Sequence, residues 1–293
     1  MNYELTSWSF HPHVTAFTTT RPGGYSQGEY GEFNINPWSG DDPEAVLRNR
    51  QLLADTLRLS DTTHIILPHQ VHRVETYQVR HDYFSQPEAS QRAALEGIDI
   101  VLTDLPGVCI GVSTADCVPI LLYDPTHHAA CAIHAGWRGC VQRAIPVGIR
   151  AMHEAFGSQP TDLHALIGPH ISMERYPVGP EVLDEFTQAG FDIQQFISLP
   201  FRGASRYRSD ACDDGRFIFP KEAQSASGAS PSSDSPRFLL SLSLFCHHEL
   251  QQAGIPPQAI TDTRQCTYDH PDRYFSARRQ GISCGRNYTG IIL

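Results

Sequence analysis

Lysine is almost missing from this chain. Lys221 is the only one, and 22 basic residues stand against 32 acidic ones, a formal net charge of −10 with neutral histidines. A chain so short of positive charge offers no basic surface to nucleic acid or an anionic membrane, which leaves a small molecule as the expected partner. Long apolar runs are missing too. No stretch approaches the ~20 residues of a membrane span, and the start, MNYELTSWSFHPHVTAF, has neither the basic end nor the apolar centre of a signal peptide. The expectation is a cytoplasmic protein. Cysteine is too sparse for a disulfide framework: Cys109, Cys117, Cys131, Cys140, Cys212, Cys246, Cys266 and Cys284 are scattered, as suits free thiols in a reducing compartment. No repeat is visible, and nothing in the sequence gives an oligomeric state.

What is present suffices for a sizeable core, with 293 residues of which 40% are hydrophobic. Only KEAQSASGASPSSDSPR, residues 221–237, has a composition too poor in apolar side chains to order itself. It reads as a flexible insertion within one domain spanning 1–293, because the remainder beyond it is too short for a core of its own. Strand-like segments fall at 14–19, 69–79, 98–103, 109–113, 118–124, 129–134, 163–167 and 290–293, and helical periodicity at 43–59, 138–156, 180–189 and 239–253. Strands outnumber helices and often follow one another directly, so the expected class is α+β, with mixed or antiparallel sheet and flanking helices.

The residues with most chemistry lie in ADCVPILLYDPTHHAACAIHAGWRG, 115–139. Two apolar runs flank Asp124-Pro125-Thr126-His127, a turn sequence, so an antiparallel hairpin is expected. If Tyr123 pairs with His128, Cys117 falls opposite His134 with Cβ atoms ~5 Å apart, close enough to share a metal or form a thiolate–imidazole pair. In LPHQVHRVET, strand alternation would put His72 on one face with Val74 and Thr76. With Cys117 and His134 it would complete a His2Cys set that leaves a fourth position open, as catalytic zinc sites do. Gly136, where a strand gives way to a helix, would let an anion approach free N–H groups, although an ordinary βα connection has the same look. Asp116 reads equally as an acid/base group or a turn cap.

Taken together, HQVHRVET, STADCVPILLYDP, AIHAGWRG, IGPHIS with YPVG, CTYDHPDRYFSARR with CGR, TTTRPGGYSQGEYGEFNIN and LRNRQLL resemble the YfiH-type polyphenol-oxidase or laccase-domain family over nearly the whole chain. The resemblance implies a metal-dependent purine nucleoside phosphorylase that cleaves adenosine, inosine and guanosine with phosphate. Cleavage of methylthioadenosine and deamination of adenosine are implied as further activities. It implies zinc, with copper as the older assignment, held by His72, Cys117 and His134. Arg50 of the NR motif is implied near the anion, and Asn34 and Arg278 in the pocket. Three departures stand out: Arg73 after the QVH histidine and His170 in place of a cysteine bear on the pocket rim, and SLSLFCHH, residues 241–248, replaces the family's DLxxAN helix start. Two other classes stay open: a metal-free hydrolase with Cys117 as nucleophile and His134 as base, and a copper-dependent polyphenol oxidoreductase, which needs more histidine ligands than this set provides. A non-catalytic binding module is a third. For at least two of Arg278, Arg279 and Arg286, salt bridging with the acidic excess is expected in place of direct catalysis.

Overall fold

Four layers make up the fold, as a computed structural model describing residues 4–201 and 237–293 shows. Residues 221–236 of the expected insertion, and Cys212, lie outside the described residues. The middle layers are two sheets. One is ordered Leu5–Trp8, Thr15–Thr19, Asn287–Ile292, Cys109–Thr114 and Ile65–Ile66; the other Ile260–Asp262, His164–Ile167, Val118–Asp124, Ala129–Ala135, Ile100–Thr103 and Thr76–Gln78. Most neighbours are antiparallel, with a parallel pair at the Ile65–Ile66 edge and at each edge of the second sheet. The α+β class with mixed sheet therefore holds.

Burial on both faces explains why the strands of the second sheet read as unbroken apolar runs. All seven residues of Val118–Asp124 and of Ala129–Ala135 are buried. Because successive side chains alternate, Leu121, Tyr123, Ala130 and Ala132 meet Ile110 and Val112 of the first sheet. Ile120, Leu122, Cys131 and Ile133 face helices Ala144–Phe156, Pro180–Gln188 and Leu242–Gln252. The outer face of the first sheet is covered by helix Pro43–Leu57, which begins at an Asp42 cap with proline at its first position. Its Leu53 and Ala54 pack on Phe17, Ile65 and Tyr288.

Several expected elements are corrected. The 138–156 helix divides into Trp137–Val141 and Ala144–Phe156 at Arg143, which takes a left-handed φ of 64°. Residues 239 and 240 belong to a small third sheet, Pro177–Val178, Arg237–Leu240 and Ile197–Phe201, and helix Leu242–Gln252 starts only after the Ser241 cap. The hairpin register also moves. Asp124 turns its carboxylate onto the N–H groups of Thr126 and His127, so the loop closes one residue later and Asp124 pairs with Ala129. His134 then lies opposite Pro119, and Cys117 sits just outside the ladder as its diagonal neighbour.

Candidate metal centre

One end of the second sheet gathers the start of Val118–Asp124, the end of Ala129–Ala135 and the start of Ile100–Thr103. Cys117 arrives there on the link from the first sheet, and His134 as the last residue but one of its strand. His72 comes from a loop, which corrects the expected 69–79 strand: only Thr76–Gln78 is extended. The ligand atoms of His72, Cys117 and His134 all lie within 4.8 Å of one another. Among the described residues this is the one group of His, Cys, Asp or Glu side chains drawn together so closely.

Asp99, unremarked in the sequence, builds this arrangement. It is fully buried and directly precedes Ile100–Thr103. Its Oδ1 accepts from His134 Nδ1 at 2.7 Å and from His72 N–H at 3.0 Å; its Oδ2 accepts from Val71 and Arg73 N–H at 3.0 and 2.9 Å. Three successive amides turned to one carboxylate cannot also run in a ladder, so the chain bends and His72 takes φ 62°. The same carboxylate fixes the His134 tautomer, leaving Nε2 free toward Cys117, as carboxylate–histidine–metal sets require. Gln142 closes the loop by donating to the His72 carbonyl at 3.2 Å.

The electrostatics favour a metal-binding thiolate. Burial opposes charge on Cys117, but the imidazoles of His134 and His72 outweigh it and bring the thiol down to about 6. Cys117 Sγ stands 3.9 Å from His72 Nε2. Burial likewise disfavours a charged His134, yet Cys117 and Asp99 reverse the sign and push it up. Gly136 serves by having no side chain: a Cβ there would stand 3.0 Å from both Cys117 Sγ and His72 Cδ2. Two imidazoles and a thiolate suit zinc or copper by ligand chemistry.

The remaining expected residues fall into two groups. Asp116 is beside the cluster, at φ 97°. Its carboxylate accepts from Thr267 Oγ1 at 2.6 Å and Arg278 N–H at 2.7 Å, and its carbonyl from Ile171 N–H. It braces the loops around Cys117. Arg278 is therefore near as well; its guanidinium donates to the Pro177 carbonyl and lies 5.0 Å from the Tyr176 ring centre. Burial pushes the Tyr176 phenol well up against the pull of the Arg278 guanidinium, and the Cys117 charge adds to the rise. Arg50 is not brought to the cluster, and Asn34 makes no bond to it among the described residues. The Arg50 guanidinium caps the carbonyls of Thr62 and Ile65. Ile65 pairs with Cys109, at the opposite end of its strand from Thr114 and the site. Asn34 spends its amide on Ser39, Asp41 and the main chain of Asn36 and Arg286. His170 donates inward to the Gly168 carbonyl, while Arg73 is exposed. Arg279 and Arg286 donate to main-chain carbonyls, a capping role in place of the expected salt bridges.

The chain matches the family model described as multi-copper polyphenol oxidoreductase laccase over residues 15–212 and 214–293. It belongs to this family. A Bacteroides thetaiotaomicron protein named purine nucleoside phosphorylase is 34% identical over 293 residues, covering 100% of this chain and 96% of that one. A protein named adenosine deaminase RL5, from an unknown prokaryotic organism, is 31% identical over 95% of this chain and 93% of its own length. The crystal structure of Bacillus licheniformis hypothetical protein YfiH superposes with a TM-score of 0.78 at 25% identity, covering 96% and 92% of the two chains. None of the helices in the described residues is long and apolar enough to cross a membrane.

Proposed function

We propose that this protein is a zinc-dependent purine nucleoside phosphorylase, taking adenosine, inosine or guanosine and phosphate to the free base and ribose 1-phosphate. The observation that carries the reading is the His72–Cys117–His134 cluster in a chain whose full-length relatives include one named for that activity. His72, Cys117 and His134 would hold the metal, which supplies positive charge at a half-buried site. Copper is the alternative ion for the same donors. Phosphorolysis needs an oriented anion and a stabilised, positively charged ribosyl group. Arg278, anchored through its main chain to Asp116 and with its guanidinium on the Pro177 carbonyl beside Tyr176, would orient the anion. The Tyr176 ring beneath it offers an apolar face to the substrate. Asp116 keeps Cys117 and Arg278 in mutual register and acts through them. A cytoplasmic location belongs to this reading, in keeping with the free state of all seven described cysteines.

A relative named adenosine deaminase favours deamination as a second activity of the same site, and methylthioadenosine is a third substrate to be tried. The deciding experiment follows adenosine and inosine by chromatography with and without phosphate, alongside metal content by mass spectrometry. Adenine or hypoxanthine released only with phosphate, with about one zinc per chain, is the expected result. Metal-free protein that releases no base would overturn it and move the reading to a hydrolase using Cys117.

A further inference from the structure

A second group of imidazoles sits at the other end of the same sheet. Strand Val118–Asp124 runs from Cys117 toward Tyr123, a separation of ~20 Å at strand rise, and Tyr123 pairs with His164 across the ladder. Over these two residues folds the His11-Pro12-His13 turn that joins Leu5–Trp8 to Thr15–Thr19 of the first sheet. The His11 ring lies 5.0 Å from both the His13 and the His164 ring, and 4.7 Å from Tyr123. Tyr123 also bonds His128 through its hydroxyl at 2.8 Å. No carboxylate is bonded to His11, His13 or His164 among the described residues. Imidazoles sharing one tetrahedral ion through bonds of ~2 Å would have ring centres about 5 Å apart, and the His72–His134 pair stands at 4.8 Å.

We propose that His11, His13 and His164 form a second binding site for a late divalent transition metal such as zinc, with the fourth position open to water. The three nitrogens do not yet converge as the first trio does. The His11 Nδ1 instead accepts the His13 main-chain N–H at a long 3.3 Å. His11 is half-buried and His13 exposed, both on a turn outside any ladder, so rotation about their side-chain torsions toward a shared ion is open to them. Imidazoles without carboxylate neighbours suit zinc, copper or nickel and not calcium or magnesium. An ion there would tie the first sheet to the second.

The test counts zinc bound by Cys117→Ala protein in equilibrium dialysis at low micromolar free zinc, with no nucleoside present, so it is independent of the proposed reaction. One zinc should remain on Cys117→Ala, and zinc should raise its melting temperature. Adding His11→Ala and His164→Ala, or His13→Ala alone on its exposed turn, should abolish both effects. In otherwise wild-type protein the same changes should lower the count from two to one and leave base release unchanged. A Cys117→Ala protein that binds no zinc, or whose zinc survives the histidine substitutions, overturns the proposal.

Discussion

Replacing Asp99 by asparagine removes one charge and one acceptor atom from the centre of the candidate site. In the native protein four N–H donors converge on its two oxygens at 2.7 to 3.0 Å. Asparagine keeps one oxygen, so two donors must face an NH2 group. Either His134 Nδ1 and the His72 amide lose their partner, or the Val71 and Arg73 amides do. Hydrogen bonds to a charged group contribute ~1.5–3 kcal/mol each, and a buried unpaired donor costs ~1–3 kcal/mol; together these predict destabilisation of roughly 3–5 kcal/mol. Loss of the carboxylate behind a metal-binding histidine lowers metal affinity ~10–100-fold. Asp124→Asn is the matched control, since Asp124 is also fully buried and also accepts two amides and a histidine ring nitrogen, at the far end of the strand. Chelator competition for zinc, run on both folded variants, separates the roles. Both should melt earlier than wild type, but only Asp99→Asn should bind zinc more weakly. Equal zinc affinity in Asp99→Asn and wild type would refute the assignment of Asp99 as the group that orients His134.

Gly136→Ala places a Cβ 3.0 Å from Cys117 Sγ and His72 Cδ2, so bound metal and base release should fall together, by about tenfold or more if the rigid strand end cannot yield; unchanged metal content would show that the cluster has slack. Arg50→Ala strips the caps from the Thr62 and Ile65 carbonyls, so the melting temperature should drop by several degrees, corresponding to ~1–3 kcal/mol, with the KM values for phosphate and nucleoside moving equally. A selective rise in the phosphate KM would return Arg50 to the anion site. Arg278→Ala is expected to show that selective rise itself. Acid stability follows from Asp99 and Asp124, whose burial would raise their pKa values but whose hydrogen-bond donors win and lower them below 3.8. A lowered folded value means stability present above the unfolded pKa and lost as pH falls through the folded one. Melting temperature should therefore fall steeply below about pH 4, and Asp124→Asn should make that slope shallower; an unchanged slope would remove Asp124 from the account.

How far the site could be read from sequence depended on what each residue's partner was. The hairpin holding Cys117 and His134 was legible because two apolar runs and a turn are local signals, and the His2Cys chemistry survived a register shift because alternation keeps Cys117 diagonal to His134. The shift itself came from the Asp124 carboxylate taking two loop amides, a contest between side chain and ladder that apolar patterning does not register. His72 reached the cluster by a different route from the one alternation gave it. Its loop is shaped by Asp99, a residue 27 positions away, and a single acidic residue ahead of IVLT carries only one faint signal: a carboxylate entering a fully buried strand must be paired. Arg50 and Asn34 show the reverse. Their side chains look like pocket residues from a motif, yet Arg50 satisfies main-chain carbonyls and Asn34 bonds Ser39, Asp41 and nearby main-chain groups, and sequence does not separate an arginine that caps carbonyls from one that waits for an anion. Local order was thus readable from local sequence, whereas the positioning shell was not, because its members are chosen by hydrogen-bond satisfaction across the fold and leave no periodic trace.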